Sequence, residues 1–158
     1  MAGPSRLHQD YSGNIFGEVR QHLKGQPCRV YHAPFDVRLT TGGANGDAQI
    51  QTVVQPDICV VCDPAKLDDR GCLGAPDWIV EILSPGTVGR DTKIKFDLYE
   101  ESGVAEYWIV FSGEKMMAAF LLDGGQYRLA GEYYTPGPIP VGTLPGLALE
   151  WSEVFAGT

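Results

Sequence analysis

The chain has 158 residues, 44% hydrophobic and 20% charged, which suffices for one domain with a core of its own. Its formal net charge of -8 excludes broad, unspecific adhesion to nucleic acid or anionic membrane, because such binding draws on clustered Lys and Arg. No apolar run reaches the roughly 18 residues that span a bilayer, and the first ten residues lack the apolar stretch of a signal peptide, so a cytoplasmic location is expected.

Ile15, Phe16, Val19 and Leu23 recur at helical spacing and Gly25 stands where a helix should stop, which predicts an amphipathic helix over 9–24. Residues 28–31 and 35–39 read as extended segments separated by His-Ala-Pro, and 40–47 as a Gly, Asn and Thr loop. A buried strand is expected over 52–62 and a second over 78–83. Between them, 64–75 reads as a surface loop whose Leu-Asp-Asp-Arg run is a solvated hairpin tip. Ser84-Pro85-Gly86-Thr87 breaks the second strand, and Ile94, Leu98 and Tyr99 with Gly103 beyond them predict a helix over 91–102. A strand over 104–111 follows, and a strand-helix-strand unit of this length favours parallel pairing with a right-handed crossover. Residues 115–122 and 126–134 flank Asp123-Gly124-Gly125 and predict a β-hairpin, the Gly pair supplying the positive-φ turn. A Pro-rich stretch over 136–145 leads into a last short strand ending at Phe155. The fold class is α/β, in one domain over 1–158.

Cys59 and Cys62 have C-x-x-C spacing, but on an extended strand residues i and i+3 face opposite ways and cannot share a metal. Cys28, Cys59, Cys62 and Cys72 are therefore expected as ordinary buried thiols. A zinc site through Cys62, Cys72 and a His is the weaker alternative.

Two acids sit in apolar runs: Asp57 in Gln-Pro-Asp-Ile-Cys-Val-Val and Glu81 in Asp-Trp-Ile-Val-Glu-Ile-Leu. A buried unpaired carboxylate costs several kcal/mol or shifts its pKa until neutral, and a divalent cation between the two would remove that cost. Phosphodiester hydrolysis uses such a set, with two carboxylates and a backbone carbonyl as hard oxygen ligands and an amine nearby. Ile82, next to Glu81, is the simplest carbonyl donor. Lys95, one helical turn from Tyr99 and beside the apolar Leu98, is the amine expected against the sheet, whereas Lys93 should face solvent. The bland alternatives are a surface lysine and a turn aspartate after Pro56.

Other residues have plainer expectations. Tyr107 and Trp108 belong in the core. Glu106 starts its strand, or else orients Lys95; Asp77 is a turn residue; and His8, a lone His near the terminus, is expected to be solvated, the alternative being a place near the site if the first helix packs beside the strand ends. The segment 116–122 with Tyr133 and Tyr134 offers apolar surface for a second copy.

Pro56-Asp57, Leu67-Asp68-Asp69-Arg70-Gly71-Cys72, Gly74-Ala75-Pro76-Asp77, the run from Val80 to Thr87, Asp91, Lys95-Phe96, Leu98-Tyr99-Glu100 and the run from Gly103 to Val110 together resemble the Uma2 family of restriction endonucleases, within the PD-(D/E)XK nuclease superfamily. The resemblance runs from His8-Gln9 to Pro145-Gly146-Leu147. It implies a restriction-endonuclease-like core, a mixed sheet flanked by helices with a C-terminal hairpin, magnesium as cofactor with manganese as substitute, DNA as substrate and a homodimer. It puts Asp57 and Glu81 at the two acids of the motif and Lys95 at the lysine, which the family carries on the following helix; Leu83 holds the usual lysine position. Glu18 is the one carboxylate well inside the first helix, without a matched family position. Relatives commonly begin with an extra strand and carry an Asp where this chain has Phe111. The function expected is metal-dependent DNA cleavage, and its alternative is an inactive binding or assembly module on the same fold.

Overall fold

The computed structural model describes residues 3–42, 49–85 and 89–157. Helix α1 (Arg6–Leu23) starts earlier than its apolar pattern because Ser5 caps it, accepting the His8 N–H at 3.1 Å. Its buried stripe of Tyr11, Ile15, Val19 and Leu23 packs on one face of a six-stranded sheet. That sheet has the order β1 (Arg29–His32), β4 (Ile58–Val61), β7 (Trp78–Leu83), β8 (Glu106–Phe111), β9 (Met116–Asp123), β10 (Gln126–Tyr133). Only β7 and β8 pair in parallel, and α2 (Arg90–Ser102) makes the connection between them. Gly103 ends α2 in the left-handed conformation (φ 89°) that an L side chain resists.

A smaller sheet, in the order β3 (Gln49–Val54), β2 (Val37–Gly42), β6 (Gly71–Leu73), β5 (Leu67–Asp68), covers the other face with α2. The short pair β11 (Pro138–Pro140) and β12 (Ala148–Glu150) and the turn of helix α3 (Trp151–Val154) close the α1 side. Alternation divides the central strands: Trp78, Val80, Ile58 and Val60 pack towards α1, and Ile79, Cys59 and Val61 towards α2. Tyr107 and Trp108 are fully buried, as expected.

Several expectations are corrected. The strand over 52–62 is two strands in different sheets, because Pro56 has no N–H to continue a ladder and the chain crosses over at Gln55-Pro56-Asp57. The loop over 64–75 carries a helical turn (Pro64–Lys66) and the β5–β6 hairpin, whose Cys72 is buried; its Asp68 holds the buried Arg38 at 2.6 Å. The last strand ends at Glu150, whose carboxylate accepts the Ser152 N–H and starts α3. Cys28 and Cys62 form a disulfide: the antiparallel register that sets Arg29 opposite Val61 sets these two opposite each other. The zinc alternative falls with it, while Cys59 and Cys72 are buried free thiols. The loop expected over 40–47 begins inside β2, and residues 43–48 lie outside the described residues.

The β9–β10 hairpin turns at Gly124 and Gly125 (φ 61° and 83°). Its apolar content is largely spent inward: Met117, Ala118 and Ala119 are buried, leaving Leu129 and Tyr134 exposed. At the outer side of β10 the Tyr127 N–H donates to the Glu100 carboxylate at 2.6 Å, and a bulge interrupts the register between Leu129 and Gly131.

Candidate active site

β4 and β7 pair with Ile58 opposite Val80 and Cys59 opposite Ile79; one further step of that register puts Asp57 opposite Glu81. Both side chains follow the alternation towards α2. The ladder ends here in side chains: the Ile82 N–H donates to Asp57 Oδ2 at 2.7 Å, and the Asp57 N–H to Glu81 Oε1 at 3.2 Å. The Asp57 carbonyl accepts the Ala33 N–H at 3.0 Å, which ties the acid to the end of β1.

α2 supplies the groups on the other Glu81 oxygen. Tyr99 Oη donates to Oε2 at 2.7 Å and Lys95 Nζ lies 3.0 Å from the same atom, one turn apart as their spacing requires. Lys93 faces solvent and pairs with Asp97. Glu81 is 3% exposed, and burial pushes its carboxyl above the ordinary range, with the neighbouring Asp57 adding to the rise and Lys95 and Tyr99 opposing it. Burial, and then Glu81, push the Tyr99 phenol up, so it remains a donor at neutral pH.

His8 belongs to this cluster, contrary to the expectation of a solvated residue. Its Nε2 lies 3.2 Å from Asp57 Oδ1 and its side chain is 13% exposed; the hydrogen bond to Asp57 holds the imidazole above its usual pKa. Nothing local in the sequence announces this, because 49 residues separate the two positions, whereas the Lys95–Tyr99 spacing was visible. Glu18 is exposed on α1 and takes no part.

Glu106 neither orients Lys95 nor merely starts β8. It is 1% exposed and accepts from Trp108 Nε1, the Gly142 and Thr143 N–H groups and the Thr143 hydroxyl, at 2.8–3.1 Å, fastening the Pro-rich segment to β8. Asp77 is the turn residue expected, accepting the Cys62 N–H at 2.8 Å.

Asp57, Glu81 and Lys95 line one cavity of about 450 Å³ with His8, Gln55, Ile82, Asp91, Thr92 and Tyr107. A second cavity, of about 290 Å³, continues past His8, Gln55 and Asp57 to His32 and Pro34. The donors that could hold an ion are oxygens, two carboxylates and a main-chain carbonyl beside them, which suits a hard cation such as magnesium rather than zinc. Among the described residues no three or more His, Cys, Asp or Glu are placed to hold one metal ion, so such an ion would complete its shell with water, as magnesium commonly does. No helix among the described residues is long and apolar enough to cross a membrane.

Residues 1–152 match the family model Uma2, described as "Putative restriction endonuclease". Among solved structures, a crystal structure from Anabaena variabilis, titled as a putative nuclease belonging to DUF820, superposes with a TM-score of 0.74 at 20% identity, covering 98% of this chain and 83% of that one. An uncharacterized protein of Synechocystis sp., slr1290, is 26% identical over 112 residues, 71% of this chain. The match takes in 55% of that relative, so the two share about half its length.

Proposed function

From the premise that this chain belongs to the Uma2 family, we propose that it is a metal-dependent nuclease that hydrolyses phosphodiester bonds in DNA, with Asp57, Glu81 and Lys95 as its working groups. One observation carries the reading: two interlocked carboxylates share a cavity with a lysine and, among the described residues, pair with no permanent cation except that lysine. A structural pair of acids gains nothing from facing each other in a buried setting.

In this reading Asp57, Glu81 and the Ile82 carbonyl hold magnesium, or manganese in its place. The ion, when bound, supplies a Lewis acid and lowers the pKa of water. The remaining work falls to the chain. Tyr99 and the Asp57 N–H fix the rotamer of Glu81, and the Ile82 N–H and His8 fix that of Asp57. Lys95, 42% exposed at its side chain, reaches from the helix into the cavity and stabilises negative charge developing on the phosphate. A homodimer would place one such site on each strand of a duplex.

The test is plasmid cleavage in magnesium or manganese by wild type, Glu81→Gln and Lys95→Ala, with calorimetric titration of manganese into each. Cleavage should fall by about a hundredfold or more in both variants, whereas metal affinity should fall chiefly in Glu81→Gln. A wild type that binds neither ion, or variants that cleave like wild type, would sink the assignment.

A further inference from the structure

We infer that Arg20, Lys24 and Arg29 form a second, remote contact for the phosphodiester backbone of the substrate strand, on the side of the molecule reached along β1 from the site. The proposal rests on the nuclease reading for the kind of ligand, but its evidence is separate. The C-terminal end of α1 and the start of β1 enclose a cavity of about 410 Å³ whose lining includes these three cations and no carboxylate. All three side chains are exposed, and among the described residues none stands in an ion pair.

The placement is unusual for this chain. Residues 1–35 hold four Arg and Lys against two acids, so the rest of the molecule is more acidic than the net charge of -8 suggests. The catalytic cavity itself is poor in free positive charge, since Asp57, Glu81 and Asp91 line it and Lys95 is engaged by Glu81. A polyanion therefore needs its electrostatic hold elsewhere. Cations near a helix C-terminus also complement its dipole, which would account for Arg20 and Lys24 as structural charges. Arg29 lies on the neighbouring strand and has no such reason.

β1 links the two places. β1 runs from Arg29, opposite Val61, to His32, opposite Ile58, the residue after Asp57. At about 3.3 Å per residue Arg29 lies roughly 13 Å along the strand from Asp57. A strand advancing about 3.4 Å per nucleotide covers that distance in about four nucleotides. A cavity that joins His8 and Asp57 to His32 and Pro34 opens the near end of that path, and Tyr31, next along β1, lines the cavity of the three cations.

The experiment measures binding of a labelled 20-mer, duplex and single-stranded, by fluorescence anisotropy in EDTA, across a range of salt, for wild type, Arg29→Ala and the triple Arg20→Ala/Lys24→Ala/Arg29→Ala. Cleavage of the same oligonucleotides in manganese and melting temperatures are recorded beside it. The expected result is a loss of affinity of at least about tenfold at 100 mM salt in the triple variant. The slope of log K against log salt should shrink by up to about three, with Arg29→Ala in between. Equal affinity and slope in wild type and triple variant would overturn the proposal while leaving the nuclease reading to the cleavage data. A wild type that binds neither oligonucleotide would overturn it as well. So would inorganic phosphate, titrated alone, occupying the corner as tightly as the 20-mer. A triple variant that only melts earlier, with binding unchanged, would assign the charges to the helix dipole and overturn it too.

Discussion

Asp57 and Glu81 hold each other through the backbone: the N–H of Asp57 donates to Glu81, and the N–H just after Glu81, that of Ile82, donates to Asp57. Each strand end thus positions the other's carboxylate, and neither acid can turn away without breaking a bond that belongs to its partner. In the proposed reading a cation between the two carboxylates would offset the repulsion that this register enforces.

Tyr99 is the outer support of that pair. Tyr99→Phe removes the 2.7 Å hydrogen bond to Glu81 Oε2 and leaves the ring in place. Stability should drop by about 1–3 kcal/mol in urea denaturation, and manganese affinity by roughly ten- to a hundredfold in calorimetry. Unchanged metal affinity would remove Tyr99 from the site.

His8 gives a pH signature. Its folded-state pKa is raised above the ordinary 6.5, first by the hydrogen bond to Asp57, so the fold favours the protonated ring. That contribution is complete below pH 6.5 and is lost as pH rises through the raised value. In EDTA, wild type should exceed His8→Gln in stability at pH 5.5–6.5, by on the order of 1 kcal/mol, and the two should converge at higher pH. A difference independent of pH would contradict the pairing.

Glu106 should matter for folding and not for chemistry. Glu106→Gln turns an amide N–H₂ towards one of the two pairs of donors that now point at the carboxylate. A loss of about 2–3 kcal/mol is expected in denaturation, with the manganese affinity of the folded fraction unchanged.

The disulfide predicts a count. Alkylation under denaturing, non-reducing conditions should label two of the four cysteines, Cys59 and Cys72, and after reduction all four, by intact-mass spectrometry. A Cys28→Ser/Cys62→Ser variant should lose about 3–4 kcal/mol, the loop-closure effect of a cross-link over 34 residues.

The legible parts of the sequence were the local ones. β7 occupies the run Trp78–Leu83 that its apolar pattern marked, and the Gly pair fixed the hairpin, since period and turn chemistry act within a few residues. Lys95 was separable from Lys93 because a single helix decides which of them faces the sheet. Register is different in kind: nothing near Cys28 states that it will lie opposite Cys62, and nothing near His8 states that Asp57 awaits it. The run over 52–62 misled because its apolar content continues across Pro56 while its hydrogen bonding does not.

The Glu100 carboxylate on the Tyr127 N–H has a consequence for how copies of this chain can meet. A strand from outside, whether a neighbour's β10 or an extended peptide, would need that donor and would also meet the bulge beyond Leu129. Growth of the six-stranded sheet is therefore hindered on its hairpin side, and copies meeting on that side would join through side chains, such as the exposed Leu129 and Tyr134, rather than by lengthening a shared ladder.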